Sequence, residues 1–114
     1  MKTRQNLTAI ITDRKGNVLS IGKNSYVKTH PLQARHAAMM GYPDKIHLHA
    51  EIHAIALCKN LDKAYKISVF RYGRNGKPLL AKPCSICQSA IRSTGIQIVE
   101  HTVGNYQNAT VSYY

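Results

Sequence analysis

Acidic side chains are scarce in this chain: five Asp and Glu stand against sixteen Lys and Arg, a formal net charge of +11 over 114 residues. That imbalance produces a field that concentrates polyanions at the surface, so nucleotides or nucleic acid are the expected partners. A solvated basic surface with no dedicated partner is the plainer alternative. No apolar run approaches the roughly eighteen residues of a membrane span. The opening stretch MKTRQNLTAII has only a short apolar run, ended by Asp13 and Arg14, which reads against a secretory signal and makes the cytoplasm the simplest location. Cys58, Cys84 and Cys87 are odd in number, which argues against a disulfide framework; a CxxC pair in a reducing compartment serves metal or redox chemistry. Internal repeats and low-complexity tracts are absent too. The length suits one domain, residues 1–114, and 44% hydrophobic residues suffice for a core.

What is present is punctuated clearly. LTAIIT (7–12) and VLSIG (18–22) read as two strands joined by the turn DRKGN, a hairpin. Residues 25–46 read as irregular, broken by Pro31 and Pro43, with a short helix over LQARHAAMM and with Met39 and Met40 expected in the core. A helix is expected from about His49 to Asn60, with Cys58 on its buried side. YKISVFRY is a strand and GRNGKP a turn. Pro83 introduces a helix from about Cys84 to Ser93, which Gly95 should stop. IQIVEHTV, GNYQN and ATVSYY read as strand, turn and strand. The order ββ-α-β-α-ββ predicts an α/β fold, a mixed five-stranded sheet covered by helices. About six residues separate the last two strands, too few for a parallel crossover, so that pair should be antiparallel.

Cys84 and Cys87, spaced i, i+3, fall on one helix face roughly 5–6 Å apart, close enough to share a metal. Two sulfurs there can reach one tetrahedral zinc at about 2.3 Å each. The helix start favours thiolate over thiol, because its unpaired N–H groups carry partial positive charge. Redox chemistry is the alternative for any CxxC, but thioredoxin-like pairs sit early in their fold, and this one sits late with a His-x-Glu upstream. A structural zinc wants four protein ligands. His49, Cys84 and Cys87 supply three and leave one position for water, the layout of a catalytic zinc. Glu51 lies about 200° around a helix from His49, so the two converge only if the metal sits over the helix mouth. There Glu51 would take a proton from the activated water rather than bind the metal.

His49-Ala50-Glu51 together with Pro83-Cys84-Ser85-Ile86-Cys87 resembles the signature of the zinc-dependent cytidine deaminase superfamily. The resemblance spans roughly residues 7–102 and implies a cytidine deaminase-like, three-layer α/β fold. It implies one zinc per chain on His49, Cys84 and Cys87, Glu51 as acid/base, and hydrolytic release of ammonia from C4 of cytosine or C6 of adenine. It further implies substrate contacts from Asn24, for which a turn-forming role is the alternative, and from the backbone N–H of Ala50. His53, i+4 from His49, reads as a residue lining the pocket or helix flank, or as a substrate contact. Three features depart from the family pattern. The first strand leaves no room for the helix that usually precedes it. The antiparallel last pair resembles free-cytidine and bacterial toxin-type deaminases, whereas deoxycytidylate and transfer-RNA adenosine deaminases run those strands parallel. The first ligand is nonetheless a histidine, where free-cytidine deaminases use cysteine. The composite is nearest to a toxin-type or phage-type cytosine deaminase, which disfavours adenine.

Three substrate readings follow. The first is deamination of cytosine to uracil in a polynucleotide, DNA in preference to RNA, with the base single-stranded or flipped. Lys28, Arg35, Arg71, Arg74 and Lys77 flank the two motifs, and Tyr26, Tyr72 and Tyr106 lie near them as candidate stacking surfaces; solvated charges and strand tyrosines are the plain alternative. The second is deamination of free dCMP, dCTP or cytidine. The third is a non-enzymatic zinc module that binds nucleic acid, in which Glu51 has no use. His30 and His47 flank the approach as further candidate contacts, while His36 and His101 carry no assigned role.

Overall fold

Period-2 alternation fixes which face of each strand is buried. In strand β1 (Asn6–Thr12), Ala9 and Ile11 are fully buried while Ile10 between them is only half-buried. In β3 (Lys66–Tyr72) the fully buried positions are Ile67 and Val69. The computed structural model describes residues 6–25, 27–42, 47–72, 79–103 and 107–112, with side chains for all of these except 6 and 107–112. Strand β2 (Val18–Lys23) follows β1 through a turn built on Asp13. Its Oδ1 accepts the backbone N–H groups of Lys15 and Asn17, each at 2.9 Å, and Gly16 takes the left-handed φ of 87°. The helices are α1 (Pro31–Met39), α2 (Ala50–Leu57) and α3 (Ser85–Thr94), with a 3-10 turn at Leu61–Lys63. β4 (Ile98–Val103) and β5 (Gln107–Ser112) end the chain order.

The sheet runs β2-β1-β3-β4-β5. β1 is antiparallel to both neighbours, β3 and β4 are parallel, and the final pair is antiparallel, as its short connection requires. Because β2 and β3 both oppose β1, they point the same way. The connections β2→β3 and β3→β4 therefore step across the sheet in one direction. Right-handed crossovers taken in one direction place their helices on one face. Accordingly α2 packs on β1, β2 and β3, and α1 packs on α2 and α3. The described residues thus form a mixed α/β fold in which α2 covers the sheet and the three helices pack on one another.

Three contacts hold α2 along β2. Ser20 Oγ donates to the carbonyl of Ala54 at 2.7 Å. The backbone N–H of Lys23 donates to His53 Nδ1 at 3.0 Å. Between them, Gly22 is buried so closely that a Cβ there would overlap Ala50 O and Ala54 N. The start of α2 is thereby fixed beside the end of β2, at the carboxyl edge of the parallel strands. That edge is where crevices form in open α/β sheets.

Two further expectations are corrected. Met39 and Met40 are 63% and 41% exposed, because the buried face of α1 consists of Gln33, His36 and Ala37. The central helix ends at Leu57 rather than near Asn60, where Cys58 turns extended (ψ 113°) while staying buried. Gly95 stops α3 as expected, with φ 84°. No helix among the described residues is long and apolar enough to cross a membrane.

Gly22→Ala should lower unfolding stability by about 1–3 kcal/mol, the cost of forcing a methyl into a closed backbone contact; urea denaturation measures it, and an unchanged midpoint would refute the close approach. His36 gives a pH prediction. Burial, and then the charge of Arg35, hold its pKa below the usual imidazole value. The unfolded chain therefore binds the proton more readily, and stability should fall as pH drops below about 6.5, with no contribution above it. Thermal melts of the native chain and His36→Asn between pH 7.5 and 5 should show a shallower decline in the variant.

Candidate active site

Two helix starts meet at the carboxyl edge of the sheet. His49 is the N-cap of α2 and Cys84 the N-cap of α3, both extended (ψ 154° and 171°), and neither side chain makes a capping bond. Their side chains are free of that local duty and turn toward each other instead. His49 Nδ1 lies 3.2 Å from Cys87 Sγ and 3.5 Å from Cys84 Sγ. All three ligand atoms fall within 4.8 Å of one another. Tetrahedral zinc with ordinary Zn–S and Zn–N bonds asks for ligand separations of about 3.5–3.8 Å, so this donor set fits it with small adjustments.

Glu51, in the first turn of α2, is 4% exposed. Burial raises its carboxyl pKa, opposed by a hydrogen bond from its own backbone N–H and by one from Cys87. The Glu51 carboxyl thus lies within hydrogen-bond reach of Cys87. The sulfurs are unequal. Cys84 is pulled down to about 4, first by the hydrogen bond from Cys87 and then by His49, against the opposing effect of burial. Cys87 is pushed well up, by donating that bond and by burial. Cys84 is thus the sulfur that ionises far more readily of the two.

The segments that carry the ligands are braced from outside the motifs. Ser25 N–H donates to Leu48 O at 2.8 Å and Leu48 N–H to Lys28 O at 2.9 Å, so the chain entering α2 is laced to the loop after β2. Gln33 Oε1 accepts the N–H of His49 at 3.2 Å. On the cysteine side, Thr102 of β4 donates its hydroxyl to Leu79 O at 2.6 Å and accepts the N–H of Arg71 at 3.1 Å. Its carbonyl accepts Ala81 N–H at 2.9 Å. Gln88 Nε2 then donates back to Pro83 O at 2.8 Å, which fixes the residue ahead of Cys84.

His49, Glu51, Cys84 and Cys87 are brought together. Several other candidates are engaged locally. Asn24 Oδ1 accepts Leu7 N–H at 2.9 Å, a bond that ties the end of β2 to the start of β1. His53 Nδ1 takes the Lys23 N–H on the flank of α2. His30 caps α1 through Leu32 N–H at 3.0 Å, and Arg71 Nη1 donates to Leu80 O at 3.1 Å. Ala50 is buried in the first turn of α2. Tyr72, at the end of β3, is 48% exposed. Lys28, Arg35 and His47 are exposed. Tyr26, Tyr106, Arg74 and Lys77 lie outside the described residues. Gln33 and Thr102 were missed by motif reading, since the bonds that engage them run to distant backbone groups and leave no side-chain motif.

Compared with solved structures, the chain is similar to the cytidine deaminase from Burkholderia pseudomallei, with a TM-score of 0.61 and 16% identity, over 96% of this chain and 76% of that one. At that identity the likeness is one of fold, and the fold is that of cytidine deaminase. No family model matches the chain, and no curated protein does.

The unequal sulfurs make a reactivity prediction. In the metal-free protein at pH 6, iodoacetamide should modify Cys84 well before Cys58 or Cys87, since Cys84 is exposed with its pKa pulled down to about 4 while the other two are buried. Peptide mass spectrometry reads the order, and equal labelling of Cys58 would refute it.

Proposed function

We propose that this chain is a zinc-dependent deaminase that converts cytosine to uracil in a polynucleotide, DNA in preference to RNA, and acts in the cytoplasm. We place it with the toxin-type or phage-type cytosine deaminases. The observation that carries the reading is the meeting of His49 Nδ1, both sulfurs and the Glu51 carboxyl at two helix starts within the cytidine deaminase fold. Bound by His49, Cys84 and Cys87, zinc supplies Lewis acidity that brings the pKa of water toward about 7. Glu51 holds and moves protons: a buried carboxyl with a raised pKa can take the two protons of water in turn, passing the first to the ring nitrogen and the second to the leaving amine. Water oxygen ends on C4, the C4–N bond breaks, and ammonia leaves. Substrate contacts are assigned to Asn24, the Ala50 backbone, Tyr26, His53 and Tyr72.

The polynucleotide preference is supported by the net charge of +11 and by exposed Lys28, Arg35 and Tyr72. A second reading, deamination of free cytidine, dCMP or dCTP, is favoured by the similar solved structure, which is a cytidine deaminase. A zinc module without activity would have no use for a carboxyl buried against the ligands.

Purified protein should hold about one zinc per chain. Glu51→Ala should keep the metal and lose about 100-fold or more of activity, whereas Cys84→Ala loses both; equal metal loss in the two would make Glu51 a ligand. Labelled oligonucleotide should be deaminated in preference to dCMP, and its binding should weaken steeply with salt as phosphate contacts release counterions. Turnover of the mononucleotide alone would move the conclusion to the second reading.

A further inference from the structure

The N-cap residue of a helix has a backbone N–H outside the helical ladder, and in a capping box the side chain at N3 reaches back to accept it. In α2 the N-cap is His49 and N3 is Ile52, which has no acceptor. Glu51, at N2, is turned to the cluster. The acceptor comes from another helix: Gln33 of α1 is 0% exposed, and its Oε1 takes the His49 N–H. One turn further along the same face, His36 Nδ1 lies 2.9 Å from Ser89 Oγ of α3. Ser89 stands two residues beyond Cys87. Of the three buried residues of α1, only Ala37 is apolar.

We infer that α1 is a polar strap across the two ligand-bearing helices, with Gln33 and His36 as positioning residues that set how tightly the cluster grips its metal. The inference rests on the zinc reading above. Gln33 fixes the backbone of one ligand directly. His36 holds the helix that carries the other two. Neither touches the metal or the substrate, so their effect passes through the spacing of the helix starts. Ala37 and Leu32 give α1 its apolar contact with the core, and these two bonds tie it to the ligand-bearing helices.

The test compares Gln33→Met, which keeps volume and removes the acceptor, with Gln33→Glu, which keeps an oxygen at that place. Zinc affinity, read by competition with a chromophoric chelator, should weaken about 10–100-fold in Gln33→Met, the usual cost of losing support behind a metal ligand. Gln33→Glu should retain the native affinity. In the metal-free proteins, hydrogen exchange at the His49 amide should accelerate in Gln33→Met and not in Gln33→Glu, a change that general loosening would not confine to that amide. Native zinc affinity in a folded Gln33→Met, or equal weakening in both variants, overturns the inference while leaving the zinc site standing. If Gln33→Met does not fold, Ser89→Ala decides: it should weaken zinc binding, and unchanged affinity overturns the strap. A native chain that takes up no zinc overturns the functional reading and this inference together.

Discussion

The architecture depends on how closely α2 lies against β2. At Gly22 the helix backbone comes so near the strand that a methyl group has no place between them. Ser20 and His53 pin the two elements on either side of that point. Slide or lift α2, and its first residues leave the carboxyl edge of the sheet, where α3 also begins. Helix starts are where a protein has backbone N–H groups to spare and partial positive charge to offer. Bringing two of them together sets Cys84 beside Cys87 and His49, whose hydrogen bonds lower its pKa against the opposing effect of burial.

The site combines tight geometry with uneven burial. Cys87 and Glu51 are buried, Cys84 is exposed, and His49 lies between these extremes. Burial raises the pKa of the Glu51 carboxyl above that of an exposed carboxylate. Groups of one chemical type are thus separated by environment into different duties.

Much of this was legible in the residues because it is local. His-x-Glu and Pro-Cys-x-x-Cys announce helix starts, Gly95 announces a stop, and Asp13 to Asn17 announce a tight turn. Each needs only neighbours in sequence. The strand order β2-β1-β3-β4-β5 was not legible, since it rests on contacts dozens of residues apart. Met39 and Met40 misled for a related reason: apolar character marks a core residue only when its helix turns that face inward, and α1 turns Gln33 and His36 inward instead. Gln33 itself was invisible as a site residue. Its partner lies sixteen residues away and uses a backbone N–H, which no side-chain motif records.

Thr102 sits on the far strand from His49, yet its hydroxyl and carbonyl grip Leu79 and Ala81 just before the cysteines. That grip works as an index mark. The count to Cys84 therefore starts from the sheet, and the position of that sulfur is referred to β4 rather than to its neighbours in sequence.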